Sequence, residues 1–144
     1  MIKQVVYLPM VLFAATLVYA NETGNLSADD IAQKSVQELR AMQSELQSAI
    51  DEEIAQAACT EDTQCKALAM GANPCGGPES YLAYSTLNTN ETRLRELAAQ
   101  YKMIRRTLHS KTGTMGACIV IPEPTLRCEN QQCVTTQKPG VLVF

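Results

Sequence analysis

Tryptophan is absent from this 144-residue chain, phenylalanine occurs twice, and aromatic residues make up only 5% of it. The two phenylalanines, Phe13 and Phe144, sit near the ends, so the interior offers few flat rings on which bases stack. A basic surplus is missing too: the formal net charge is −3, with acidic and basic groups interspersed. These absences argue against nucleic acid as a partner. Histidine occurs once, at His109, so there is no imidazole cluster to hold a metal. No C-x-x-C pair is present, which excludes the usual redox dithiol and the tight zinc knuckle. After residue 20 no apolar run approaches the roughly 20 residues that span a bilayer, and there is neither an internal repeat nor a low-complexity tract.

Residues 1–20 have the organisation of an export signal. Lys3 supplies the positive start, Val5 to Val18 is apolar and uncharged, and Val18-Tyr19-Ala20 ends in the small-residue pattern that signal peptidase accepts. The stretch is short for an anchor and contains Pro9. Cleavage would place Asn21 first, and no cysteine stands there to take a lipid. The expected location is the periplasm or the exterior. What remains, about 120 residues, fits one domain.

Cys59, Cys65, Cys75, Cys118, Cys128 and Cys133 are even in number and confined to the second part of the chain. In an exported protein this implies three disulfides, whose connectivity the spacing leaves open among many pairings. If the segments after Cys65 and around Cys128 and Cys133 share a sheet, Cys59 and Cys65 are stapled to Cys128 and Cys133, leaving Cys75 for Cys118.

Residues 21–27 are polar and contain Gly24, the composition of a flexible lead. Ser27 then caps a helix, with Asp29 and Asp30 in the first turn. Ile31, Val36, Leu39, Met42, Leu46, Ile50 and Ile54 recur at mostly helical spacing, predicting one long amphipathic helix over 28–58. Its apolar stripe is expected to pack on a second helix; the competing role is a face for self-assembly. That second helix starts from a capping pair at Asn88 and Glu91, buries Leu94, Leu97, Ala98, Tyr101, Ile104 and Leu108, and stops at Gly113. Strand character appears at Lys66 to Met70, at Ala117 to Ile121, and in a hairpin from Leu126 to Thr136. The expected class is α+β: two main helices packed on a small antiparallel sheet and stapled by three disulfides, forming one domain over 28–138 with an apolar tail at 139–144.

Candidate chemistry is sparse. Cys75 is followed by Gly76 and Gly77, whose amides would suit an anion nest, and His109 is the sole imidazole. Making Cys75 a nucleophile would leave an odd number of cysteines in an oxidising compartment, and His109 near a helix end is expected to be a solvated cation. The carboxylate pairs Glu52/Glu53 and Glu61/Asp62 read as solvated surface. Neither a catalytic set, a metal site nor a cofactor is expected. Three N-x-S/T sequons begin at Asn21, Asn25 and Asn90.

From CTEDTQC through CGGPESYLAYS to CENQQC, about half of the chain resembles uncharacterised secreted or periplasmic bacterial proteins with an acidic C-x5-C opening, a CGGP segment, a helix and a C-x4-C close. The resemblance implies an exported, disulfide-bearing domain and carries no activity. The stretch NPCGGPESYLAYS reads as a stapled turn joining the first strand to the second helix. Its Gly76, Gly77, Pro78, Tyr81 and Tyr84 form the expected binding surface. The function expected is therefore binding, as an exported inhibitor-like module of the cell envelope with a protein or envelope component as partner. An oligomerising envelope protein that uses the long helix is the alternative, and a thiol-dependent enzyme stands third.

Overall fold

A computed structural model describes residues 27–116 and 118–136, together with the backbone of 142–143. The expected signal, all but the last residue of the lead, and most of the apolar tail lie outside the described residues.

The expected helix over 28–58 is two helices. α1 spans Ala28–Gln33 and α2 spans Val36–Ile54, with extended backbone at Lys34 and Ser35 between them. The break is local chemistry: Glu38 N–H donates to Ser35 Oγ at 3.2 Å, and Ser35 N–H donates to Glu38 Oε2 at 2.8 Å. This reciprocal capping box starts a new helix inside a continuous apolar period. α3 spans Glu91–Thr112 and is capped by Asn90, two residues after the expected Asn88; Asn90 Oδ1 accepts from Arg93 N–H at 3.2 Å. It ends at Gly113 as expected, in the left-handed conformation (φ 63°) that glycine adopts without steric cost.

The strand content is larger than expected and is divided. β1 (Cys65–Met70) pairs antiparallel with β2 (Ser80–Ser85), which lies inside the stretch read as a turn. β3 (Ile119–Val120) pairs with β6 (Leu142–Val143), and β4 (Leu126–Glu129) pairs with β5 (Gln132–Thr135) through a tight turn at Asn130 and Gln131, both at positive φ. The described residues thus form α+β architecture with two main helices packed on small antiparallel sheets, each of two strands.

The β1–β2 ribbon is covered on both faces. One face presents Leu68, Met70 and Tyr84 to α2 and α3, where they meet Ile50, Leu94 and Ala98. Its other face presents Cys65 and Ala83 to the β4–β5 ribbon, with Cys59, Cys133 and Leu126. Successive side chains of a strand point to opposite faces, so a six-residue ribbon serves both layers. A second helical core joins Ile31 and Leu39 to Ile104 and Leu108. The apolar stripe of α2 is therefore packed against this chain's own α3.

The disulfides join Cys59 to Cys128, Cys65 to Cys133 and Cys75 to Cys118. The first cysteine pair is thus stapled to the last and Cys75 to Cys118, as expected, while the individual partners within the two pairs come from the structure; the route also differs, because β1 and β5 belong to separate ribbons instead of one sheet. Ala57 to Cys59 runs beside β5: Cys133 N–H donates to Ala57 O at 3.0 Å and Cys59 N–H donates to Gln131 O at 3.1 Å. That alignment brings the C-x5-C and C-x4-C pairs into register, so Cys65–Cys133 ties the β1–β2 ribbon to the β4–β5 ribbon while Cys59–Cys128 ties the segment before β1 to β4. Asp62 adds to these ties, its Oδ1 accepting from Cys128 N–H at 2.8 Å. No helix among the described residues is long and apolar enough to cross a membrane.

Candidate functional site

The chain leaves β1 through Gly71, whose φ of +72° favours glycine. It then folds into a closed turn. Asn73 N–H donates to Gly77 O at 3.0 Å, Gly76 N–H donates to Asn73 O at 2.9 Å, and Cys75 N–H donates to Asn73 Oδ1 at 3.2 Å. Asn73 Nδ2 reaches across to Ile119 O at 3.0 Å. The amide of Gly76 is thus spent inside the turn, which removes half of the anion nest that the glycine pair suggested. Cys75 is bonded to Cys118 and offers no thiol.

Glu79, the residue before β2, is the electrostatic centre of this region. Its carboxylate accepts from Arg105 Nε at 2.8 Å and from a terminal guanidinium nitrogen at 2.7 Å, a bidentate pair, and His109 Nε2 lies 2.8 Å from Oε1. An ionised carboxylate only accepts, so Nε2 carries the proton. The side chains of Arg105 and Glu79 are each 25% exposed and that of His109 is 14% exposed. Burial raises the pKa of Glu79, but the hydrogen bonds and charges of Arg105 and His109 together outweigh it and hold the carboxyl below the ordinary glutamate value. The hydrogen bond to Glu79 correspondingly raises Arg105. Gln43 Oε1 from α2 lies 3.4 Å from the same guanidinium, so the cluster ties the loop, α3 and α2 together. His109 is therefore a covered partner of Glu79 instead of the solvated cation its position at a helix end suggested.

Beside Glu79 opens a cleft of about 170 Å³ lined by Glu79, Ser80, Tyr81, Ile121, Pro122, Pro124 and Thr135. That volume is well below the roughly 300–1,000 Å³ of small-molecule sites, and equals the liquid volume of about six waters. It suits one side chain of a partner. Its walls are mostly carbon. A larger depression of about 550 Å³ lies between α2 and α3, and of its two carboxylates, Glu52 and Glu53, the second is engaged: Glu53 Oε1 accepts from Asn90 N–H at 2.7 Å, and Oε2 lies 3.4 Å from Arg93 Nε. The sulfurs of Cys59, Cys65 and Cys133 lie within 4.8 Å of one another, yet all are consumed in disulfides and supply no thiolate for a metal.

The residues singled out in the sequence separate into two environments. Gly76 and Gly77 are exposed, Pro78 is half-buried beside them, and Tyr81 forms a wall of the cleft. Tyr84 is in the helical core at 4% exposure and does not reach this surface. Arg105 belongs to the basic cluster of Arg105, Arg106, His109 and Lys111 that reads as helix-end solvation, whereas Glu79, Ile121, Pro122 and Pro124 carry no mark in the sequence, because nothing in local spacing marks a residue that meets its partners across 26 positions or more. The signal available was weak: a lone acid in an uncharged loop, and basic residues at Arg105 and His109 one helical turn apart.

Among family models, curated proteins and solved structures, none matches this chain.

Proposed function

We propose that this protein is an exported binding module that captures a side chain of a protein or envelope partner in the cleft beside Tyr81. The observation that carries this reading is the joining of a small apolar cleft to a rigid turn: Tyr81, Ile121, Pro122 and Pro124 supply the contact area, while the Asn73–Gly77 turn, the Cys75–Cys118 bond and the Glu79–Arg105–His109 cluster hold its rim. Such preorganisation lowers the entropy lost on binding. Tyrosine suits an anchor, combining apolar area with a hydrogen-bonding tip. The three disulfides point to an oxidising, extracytoplasmic environment, and the resemblance of the C-x5-C, CGGP and C-x4-C segments to secreted bacterial proteins, with the signal-like residues 1–20, supports export.

The test places a photo-crosslinking amino acid at Pro122, at Gly77, or at Lys102 on the exposed face of α3, in the exported protein within its own compartment. A discrete adduct from positions 122 and 77 but not from 102, lost on adding Tyr81→Ala, is the expected result. Equal labelling at all three positions, or an adduct indifferent to Tyr81→Ala, overturns the assignment. Assembly through the long helix loses its main support because the α2 stripe is covered by α3.

A further inference from the structure

Two of the three disulfides are enclosed and one is open. Cys59, Cys65 and Cys133 retain 2%, 9% and 8% exposure and lie with Cys128 between the two ribbons. Cys75 and Cys118 are both exposed. Gly76 and Gly77 follow Cys75 at φ of +104° and +79°, and a Cβ added to either would meet nothing within 4 Å. Cys75 is thus followed by exposed bare backbone, with its Sγ 3.8 Å from the carbonyl oxygen of Gly116, whereas Cys118 is followed by the half-buried Ile119 at the start of β3. Exchange at a disulfide requires an incoming thiolate to reach one sulfur in line with the bond, so access separates labile from inert bridges.

We infer that the Cys75–Cys118 bridge is a thiol-exchange site, open to a small thiol or a dithiol protein, while the other two bridges are structural. The incoming thiolate attacks Cys75 Sγ, a new S–S bond forms there, and the bond to Cys118 breaks with its electron pair leaving on Cys118 Sγ, which takes a proton from water. One thiol and one disulfide become one disulfide and one thiol. When the reagent is a dithiol, its second thiolate then displaces Cys75, so the reagent ends oxidised and both protein cysteines end reduced.

Exchange frees more than one bond. The strand arm after Cys118 is held to the Asn73–Gly77 turn by this bridge and by the hydrogen bond from Asn73 Nδ2 to Ile119 O, with Gly116 packed close to the Pro74 ring. Among the described residues β3 makes a two-residue pairing with β6. The same arm carries Ile121, Pro122 and Pro124, one wall of the cleft. Opening the bridge loosens that wall while Cys65–Cys133 keeps the ribbons joined and Cys59–Cys128 holds the segment before β1 to β4.

Folded, oxidised protein is exposed under native conditions to reduced glutathione in one arm of the experiment. In the other it meets a C-x-x-C protein whose second cysteine is replaced by serine. Both are quenched with acid, alkylated and peptide-mapped. The expected product is a mixed disulfide on Cys75 with Cys118 alkylated and the other four cysteines unlabelled; the arm that yields it identifies which source of thiol fits. A mixed disulfide on Cys118 or on any of the other four cysteines, or no product in either arm, overturns the proposal. Hydrogen exchange supplies the second readout: in C75S/C118S, amides over 119–121 are expected to exchange on the order of tenfold faster while β1 and β5 stay protected. Unchanged protection over 119–121 overturns the loosening. Neither measurement needs a ligand in the cleft, so both are independent of its binding role.

Discussion

Replacing Glu79 by glutamine isolates the charge at the centre of the loop cluster while preserving its shape. In the native protein Glu79 receives two bonds from Arg105, at 2.8 and 2.7 Å, and faces His109 at 2.8 Å. Fully exposed ion pairs contribute about 0–1 kcal/mol, whereas breaking a fully buried pair costs about 3–5. The Arg105 and Glu79 side chains are each 25% exposed, which places Glu79→Gln between these limits, at about 2 kcal/mol. For a domain of this size that corresponds to a melting temperature lowered by about 8 °C. The sign of the pH dependence follows from the direction of the shift. Folding depresses the Glu79 pKa below its unfolded value of 4.5, so its stabilisation is fully present above that value and is lost as pH falls through the lower, folded pKa. Urea unfolding of wild type and Glu79→Gln, with disulfides intact, is therefore expected to differ by about 2 kcal/mol at about pH 7, and the difference is expected to shrink as the pH is taken below the unfolded value of 4.5. A difference under about 0.5 kcal/mol at neutral pH, or one that persists undiminished in acid, would refute the clamp.

Three further substitutions probe the supports of the site. Gly71→Ala forces a Cβ into a left-handed position and against the Glu79 carboxylate, so a loss of about 2–3 kcal/mol is expected by chemical denaturation, and pairing it with Glu79→Gln should give less than the sum. Ile104→Ala empties a fully buried position between α1, α2 and α3; a loss of about 2–5 kcal/mol with all three disulfides still formed is expected, and a neutral result would contradict the packing. Ser35→Ala removes one half of the capping box at the start of α2 and is expected to cost about 1 kcal/mol, with faster amide exchange confined to Val36 through Leu39.

The helix boundaries illustrate which signals are local. Gly113 ends α3 where a glycine after a cationic turn is expected to, since a left-handed residue caps the chain without help from elsewhere. The Ser35-x-x-Glu38 box is equally local, and the apolar period running through it obscured the break between α1 and α2, because periodicity reports the buried face and not the continuity of the backbone. β2 was hidden for a related reason. The glycines and prolines at 74–78 punctuate a turn, but the run Tyr81 to Tyr84 that follows them is β-prone, and only its partner β1 makes it a strand. Pairing also settles the two tyrosines. Three positions apart in a strand, they face opposite sides of the ribbon, so Tyr84 enters the helical core and Tyr81 walls the cleft.

By itself, the sequence determined the oxidised framework, the two-helix α+β class and the tight hairpin near the last cysteine pair, because parity of cysteines, apolar period and turn chemistry act over a few residues. Only the tertiary structure decided that Glu79 would meet Arg105 and His109, that a wall of prolines would close on Tyr81, and that one bridge would be left open while two are enclosed. Each of these depends on segments far apart in the chain being brought together by two stacked ribbons, and contacts of that kind leave no period and no spacing for a sequence to display.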